Sequence, residues 1–197
     1  MPLSQPTSAR MLKHQRAIQI DAYVREDGLW DIEAQISDVK TRDAHLASGL
    51  RPAGAPLHKL LLRLTIDTHF NVIAADAASD AVPYPGYCDT IAPAYAKLTG
   101  LNLMRGFRRD MRNVLGGVLG CTHITELAQL LPTVAIQAFA GEVFDPHEEP
   151  EEGRPGNSAA NKPFQLDNCH ALRSDGLAVA KYYPRWAVRQ TVKSEPS

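Results

Sequence analysis

His123 and Glu126 stand three residues apart in the run Gly120-Cys121-Thr122-His123-Ile124-Thr125-Glu126. At the start of a helix that spacing puts both side chains on one face. An imidazole beside a carboxylate can move a proton while the carboxylate orients the ring, or the two can ligate one metal ion. Cys121 lies just ahead of them. The unpaired N–H groups and positive pole of a helix N-terminus favour a thiolate there. These three form the candidate catalytic set. Gly116, Gly117 and Gly120 precede it and let backbone or ligand approach closely. The competing reading is a capped helix whose His and Glu are merely solvated.

Other residues are candidates to bind substrate at the same place. Cys88 and Tyr87 follow a turn marked by Pro83, Pro85 and Gly86. His58 shares strand parity with Leu60 and Leu62, so it points either at the site or at a partner near a strand start. Asp76 falls on the parity of Phe70, Val72 and Ala74. A carboxylate on an apolar face needs a partner; the alternative is that Asp76 already lies in a turn. Glu33 and Asp31 lie opposite the Trp30 face, as an acidic wall or as a solvated surface. Cys88, Cys121 and His123 are the candidate metal set, suited to zinc or iron, with Asp76 as a possible addition. From the tail, Asp167 and either Cys169 or His170 could contribute, but adjacent strand residues point to opposite faces. Arg105, Arg108, Arg109 and Arg112 recur at helical spacing. They make a stripe for a carboxylate or phosphate, a partner for the acidic run near Glu148 to Glu152, or a solvated face. The chain shows no phosphate-binding glycine loop, nucleophile elbow or zinc-knuckle spacing.

The elements that must position these residues begin with alternation. Ile18, Ile20, Ala22 and Val24 share one face of a strand over 17–24. Glu26-Asp27-Gly28 supplies a turn, and Trp30, Ile32, Ala34 and Ile36 share one face of a return strand over 29–38. A Gly/Pro loop over 47–56 leads to strands over 58–67 and 69–76. Four strands joined by short turns predict an antiparallel meander. Its core should hold Trp30, Ile32, Leu62, Leu64, Phe70 and Val72. Helical patterns follow: a short segment over 88–98 interrupted by Pro93, a helix from about Leu103 to Leu115, and one from His123 toward Ala140, N-capped by Thr122 and kinked at Pro132. Strands first and helices later predict an α+β fold, with the helices on one face of the sheet. The short turn after Asp76 and the glycine link before Thr122 imply that Cys88, Cys121 and His123 converge on one cavity lined by Glu126.

The expected organisation is a flexible tail over 1–14, a core over 15–143 and an acidic Pro/Gly loop over 144–163. A segment over 164–197 then completes the same domain, with a hairpin turning at Asp175-Gly176 and returning along Leu177 to Tyr183. The 197 residues suffice for a core without disulfides or a structural metal. A net charge of −1 gives no push toward nucleic acid or an anionic membrane. No stretch approaches the roughly 18 apolar residues of a membrane helix, and the N-terminus lacks a signal-peptide core. Three cysteines make a poor disulfide framework, which predicts reduced thiols and a cytoplasmic location.

Several segments resemble a bacterial family known as domain of unknown function 2889. The resemblance is carried by Tyr23 to Glu33, Leu57-His58, Leu62 to Asp67, Cys88, Gly116 to Leu127, Leu166 to Leu172 and Tyr183 to Trp186. It implies a link to catabolism of lignin-derived aromatics with release of formaldehyde, hence a carbon–carbon lyase acting on a small aromatic substrate. Tyr87, Tyr95 or Tyr182 could contact the rings. The layout is also similar to the NifU-like iron–sulfur scaffold fold, in the placing of Cys88 and Cys121, though without its cysteine spacing. That similarity implies a metal- or iron–sulfur-binding module as the alternative. The cofactor is thus none or one divalent transition metal. A third reading is a non-catalytic partner-binding protein, using the arginine stripe or the 144–163 loop. The oligomeric state is left open by the sequence, with a homodimer among the options.

Overall fold

The computed structural model describes residues 3–144, 162–163 and 165–188. The chain divides into two compact units, Met1–Val143 and Phe144–Ser197.

The first unit is built on four long strands: β1 (His14–Val24), β2 (Trp30–Lys40), β5 (Pro56–Ile66) and β6 (Val72–Ala81). They form one antiparallel sheet in the order β1-β2-β5-β6, so the meander is as expected. Two short strands, β3 (Ala44–Leu46) and β4 (Gly49–Arg51), pair as a small hairpin in the β2–β5 connection, where sequence suggested only a loop. A 3-10 segment follows over Asp89–Leu98 and contains Pro93. Then come α1 (Phe107–Leu115) and α2 (Thr122–Phe139).

Strand alternation and helix periodicity meet in one core. Ile32, Ile36, Leu60, Leu62, Leu64 and Ile66 are fully buried from the sheet. α2 answers with Ile124, Leu127, Ala128, Leu131, Ala135 and Phe139 at three- and four-residue steps. Each large side chain so buried contributes about 1.5–3 kcal/mol. The Phe139 ring lies 5.1 Å from Trp30 and 4.7 Å from Phe70, centroid to centroid. Of the six residues expected in the core, five are buried; Phe70 is half-buried and sits in the β5–β6 turn with φ 65°. Among the described residues no helix of this unit covers the sheet's other face, and Glu33 and Arg63 are exposed on it.

Three irregularities decide which way side chains point. Thr65 pairs with Ala74 but Ile66 pairs with Val72, which leaves Ile73 as an extra residue on β6. Asp80 is a second extra residue, between the Leu60–Ser79 and Lys59–Ala81 pairs. Leu57 is a third, between the Asp38–His58 and Val39–Pro56 pairs. Such bulges re-aim side chains and concentrate beside functional sites.

Helix limits also differ from expectation. Gly106 takes φ 71°, which an α-helix cannot accommodate, so α1 starts at Phe107 rather than Leu103. This leaves Arg105 off the helix, while Arg109 pairs with Asp110 at 2.8 Å. Cys121, not Thr122, is the residue flanking α2, and it makes no side-chain cap. Gly116 and Gly120 are required sterically: a Cβ at either would collide with the backbone oxygen of Arg112 or Leu115.

The second unit holds a 3-10 turn over His170–Leu172, α3 (Leu177–Tyr182) and a 3-10 turn over Pro184–Trp186. The expected hairpin is therefore not formed: its return strand is helical. Leu-Ala-Val-Ala-Lys-Tyr is rich in helix formers, and that preference overrides the Asp-Gly turn signal. Asp167, at φ 62°, accepts hydrogen bonds from the Ser174 amide and hydroxyl and pairs with Lys162. Most of the expected acidic loop, residues 145–161, lies outside the described residues.

Candidate functional site

Asp38 continues the inward parity of Trp30, Ile32, Ala34 and Ile36 along β2, and its side chain is only 2% exposed. A carboxylate so placed needs partners, and the register delivers them. Arg16 on β1 and His58 on β5 are its two cross-strand neighbours. Arg16 grips both oxygens side-on, Nε to Oδ1 and Nη2 to Oδ2, each at 2.8 Å. His58 Nδ1 lies 3.0 Å from Oδ2, and His14 Nε2 lies 3.2 Å from Oδ1. Burial alone would raise the Asp38 pKa, but the hydrogen bond and charge of Arg16, with His58 adding to them, bring it below the ordinary value. Asp38 is therefore ionised at neutral pH and can only accept. His58 must carry its proton on Nδ1, which leaves Nε2 of the neutral ring as the basic nitrogen.

The second imidazole comes from α2. His123 stacks on His58 with ring centroids 3.8 Å apart and planes tilted by 32°. Its Nε2 is 4.0 Å from Asp38 Oδ2 and its Nδ1 is 3.9 Å from Cys121 Sγ. Burial is the main cause lowering the His123 pKa; a proton on His58 would push the same way, as the Arg16 guanidinium does. The ring is thus neutral at physiological pH.

Tyr95 fixes the head of α2. It is fully buried, and its hydroxyl donates to the Cys121 carbonyl at 2.8 Å, accepts the Cys121 N–H at 2.9 Å and meets Thr125 Oγ1 at 2.8 Å. A phenol from the 3-10 segment thereby does the work of a helix cap. Arg16 ties the same helix to β1, its Nη1 donating to Glu126 Oε2 at 2.6 Å.

These contacts settle where the sequence candidates lie. His123, Cys121, Glu126 and His58 come together. Glu126 pairs with Arg16, and the carboxylate beside His58 is Asp38. Glu33 and Asp76 are elsewhere: both pair with Arg63 on the open face, at 3.2 and 3.3 Å. The bulge at Ile73 flips the parity of β6, so Asp76 leaves the apolar face that simple alternation gave it. Tyr87 is exposed, Tyr182 belongs to the second unit, and Tyr95 is a buried anchor. Cys88 is half-buried at the head of the 3-10 segment. All three cysteines are free thiols.

Among the described residues, the His, Cys, Asp and Glu side chains whose ligand atoms converge are Asp38, His58 and His123, within 4.8 Å of one another. This set differs from the expected Cys88, Cys121 and His123. Asp38, Arg16 and His14 were not anticipated as site residues, although strand parity carried the signal for all three.

A family model described as "Protein of unknown function (DUF2889)" matches residues 14–137. The chain belongs to that family. The matched span of this DUF2889 domain holds every residue of the cluster, from His14 on β1 to Glu126 on α2. No curated protein and no solved structure matches the chain. No helix among the described residues is long and apolar enough to cross a membrane.

Proposed function

We propose that this DUF2889 protein is a small-molecule enzyme whose paired imidazoles transfer protons, and that its reaction is carbon–carbon lysis of a lignin-derived aromatic substrate with release of formaldehyde. The observation that carries the proton-transfer reading is the Asp38–His58 hydrogen bond with His123 stacked against it. A buried carboxylate that orients an imidazole through Nδ1 leaves Nε2 poised as a base. A second, neutral imidazole in contact with the first can return a proton.

The chemistry is balanced as a retro-aldol-like step. His58 Nε2 removes the proton of a primary hydroxyl. The carbon–carbon bond to the carbinol carbon breaks and formaldehyde leaves. The conjugated aromatic remainder takes the electron pair, and a proton delivered by way of His123 replaces the lost carbon. The aromatic substrate class rests on the family resemblance. The test is incubation of the full chain with lignin-derived diaryl compounds bearing a hydroxymethyl group, followed by formaldehyde assay. Formaldehyde release that disappears in His58→Ala is expected. No turnover across such a panel by folded protein would end the lyase reading.

A second reading is favoured by the convergence of Asp38, His58 and His123. Two histidines and a carboxylate suit zinc or non-haem iron. Bonds of about 2 Å place tetrahedral ligand atoms roughly 3.3 Å apart, so the site would have to contract slightly. The ion would also sit beside the Arg16 guanidinium, which opposes a cation. The acid–base reading keeps every contact in place and ranks first for that reason. Elemental analysis of protein purified without chelator separates the two; close to one equivalent of a transition metal would reverse their order.

A further inference from the structure

We infer that the outer edge of Arg16 is a carboxylate-binding subsite, occupied in this structure by Glu126 as a stand-in for the carboxylate of an aromatic substrate. The inference rests on the proposed site at His58 and His123 but not on the reaction assigned to it.

A guanidinium has two forked edges. Arg16 spends the Nε/Nη2 edge on Asp38, inside the fold. Nη1 lies outside that pair and donates to a single oxygen, Glu126 Oε2. The two pairs differ in environment. Asp38 is 2% exposed, whereas the Glu126 side chain is 40% exposed. Exposed ion pairs are held weakly because water competes for both partners. A planar carboxylate arriving end-on can use both oxygens, and two parallel N–H···O bonds outcompete one. The inner edge stays fixed to Asp38, so the fork is already oriented when the ligand comes.

The surroundings define the rest of the ligand. His123 precedes Glu126 by one helical turn on the same face of α2. An anion in the Glu126 position therefore lies beside the imidazole pair. Along β1, the residue after Arg16 on the same face is Ile18, an apolar side chain left 37% exposed. His14 flanks Arg16 on the other side and can add positive charge when protonated. A cation with an exchangeable partner, next to an uncovered aliphatic side chain, fits an anion with an apolar body, and the substrate class proposed above makes that body aromatic.

The experiment is a calorimetric titration of the full chain with benzoate and with benzyl alcohol, its neutral counterpart. Wild type and Glu126→Gln are compared at low and high salt. Expected results are several-fold tighter benzoate binding by the variant, weaker binding as salt rises, and no effect of the substitution on benzyl alcohol. Glu126→Ala, which also frees the outer edge, should behave like Glu126→Gln and serves if that variant folds poorly. Unchanged or weakened benzoate binding in folded Glu126 variants would overturn the subsite. If benzoate binds as described while no diaryl compound releases formaldehyde, the lyase reading falls and the subsite stands. If formaldehyde is released but the variants leave benzoate affinity unchanged, the subsite falls alone.

Discussion

The two faces of the sheet carry the same chemical parts with opposite consequences. On the covered face, Arg16 holds Asp38 with His58 alongside. On the open face, Arg63 lies between Glu33 and Asp76, a cross-strand row of the same kind, with Arg25, Asp31 and Thr65 nearby. Asp38 is 2% exposed and Asp76 is 72% exposed. Water solvates the outer row whether or not its members pair, so pairing there changes little. Around Asp38 water is largely replaced by protein donors, and each partner shifts proton affinities and fixes a ring. Residue type alone does not make a reactive centre; the face on which it is placed does.

The sharpest way to break this comparison is to empty the inner row. Asp38→Ala should lower kcat/KM by roughly 10²–10⁴, the range of a lost acid–base group, since it frees the His58 ring. It should also lower stability in urea unfolding by about 3 kcal/mol, at the low end for a buried pair because Arg16 keeps one solvent-facing edge. The pH dependence of stability should change with it. The depressed Asp38 pKa means that this stabilisation is complete above the unfolded carboxylate value of about 3.9 and is lost as pH falls through the lower folded value. The variant should lack that acid-side loss.

A smaller structural effect with a comparable catalytic one is expected at the imidazoles. His123→Ala should reduce turnover by roughly 10²–10⁴ with a thermal midpoint close to wild type, because the His123 ring is 25% exposed and lies outside the apolar core. In the wild type, the lowered His123 pKa predicts that the neutral ring persists below the ordinary histidine value of about 6.5. An NMR titration of the His123 ring should accordingly show its midpoint below that value. A midpoint above it would contradict the burial of His123.

The smallest effect sharpens the contrast. Glu33→Gln and Asp76→Asn should each change unfolding free energy by less than about 1 kcal/mol and leave turnover unchanged. A large loss of activity in either would make the open face part of the site and remove the distinction between the two rows.

Much of this was readable from the residues, and the failures have definite causes. The meander, the helix after the glycine link and the meeting of Cys121 with His123 follow from alternation, punctuation and spacing. Asp38 was equally legible, since it extends the parity of Ile36, as His14 and Arg16 extend that of Ile18. Attention to apolar runs stops where the polar residues begin, which here is where the chemistry begins. Asp76 could not be placed because a bulge reverses parity without a mark in the sequence: Ile73 looks like any strand residue. The helix at Leu177 departs from expectation for a different reason: six residues of helix propensity outweigh a two-residue turn signal.

β1 lies at the edge of the sheet and is paired along one side only. Two of the donors that hold the buried carboxylate, His14 and Arg16, ride on that strand, as does the ion pair to α2. Peeling β1 from β2 would therefore strip Asp38 of its guanidinium, flood the imidazole pair with water and untie the helix head in a single event. The centre is assembled only while this edge strand stays in place, so fraying at this edge and inactivation are one equilibrium.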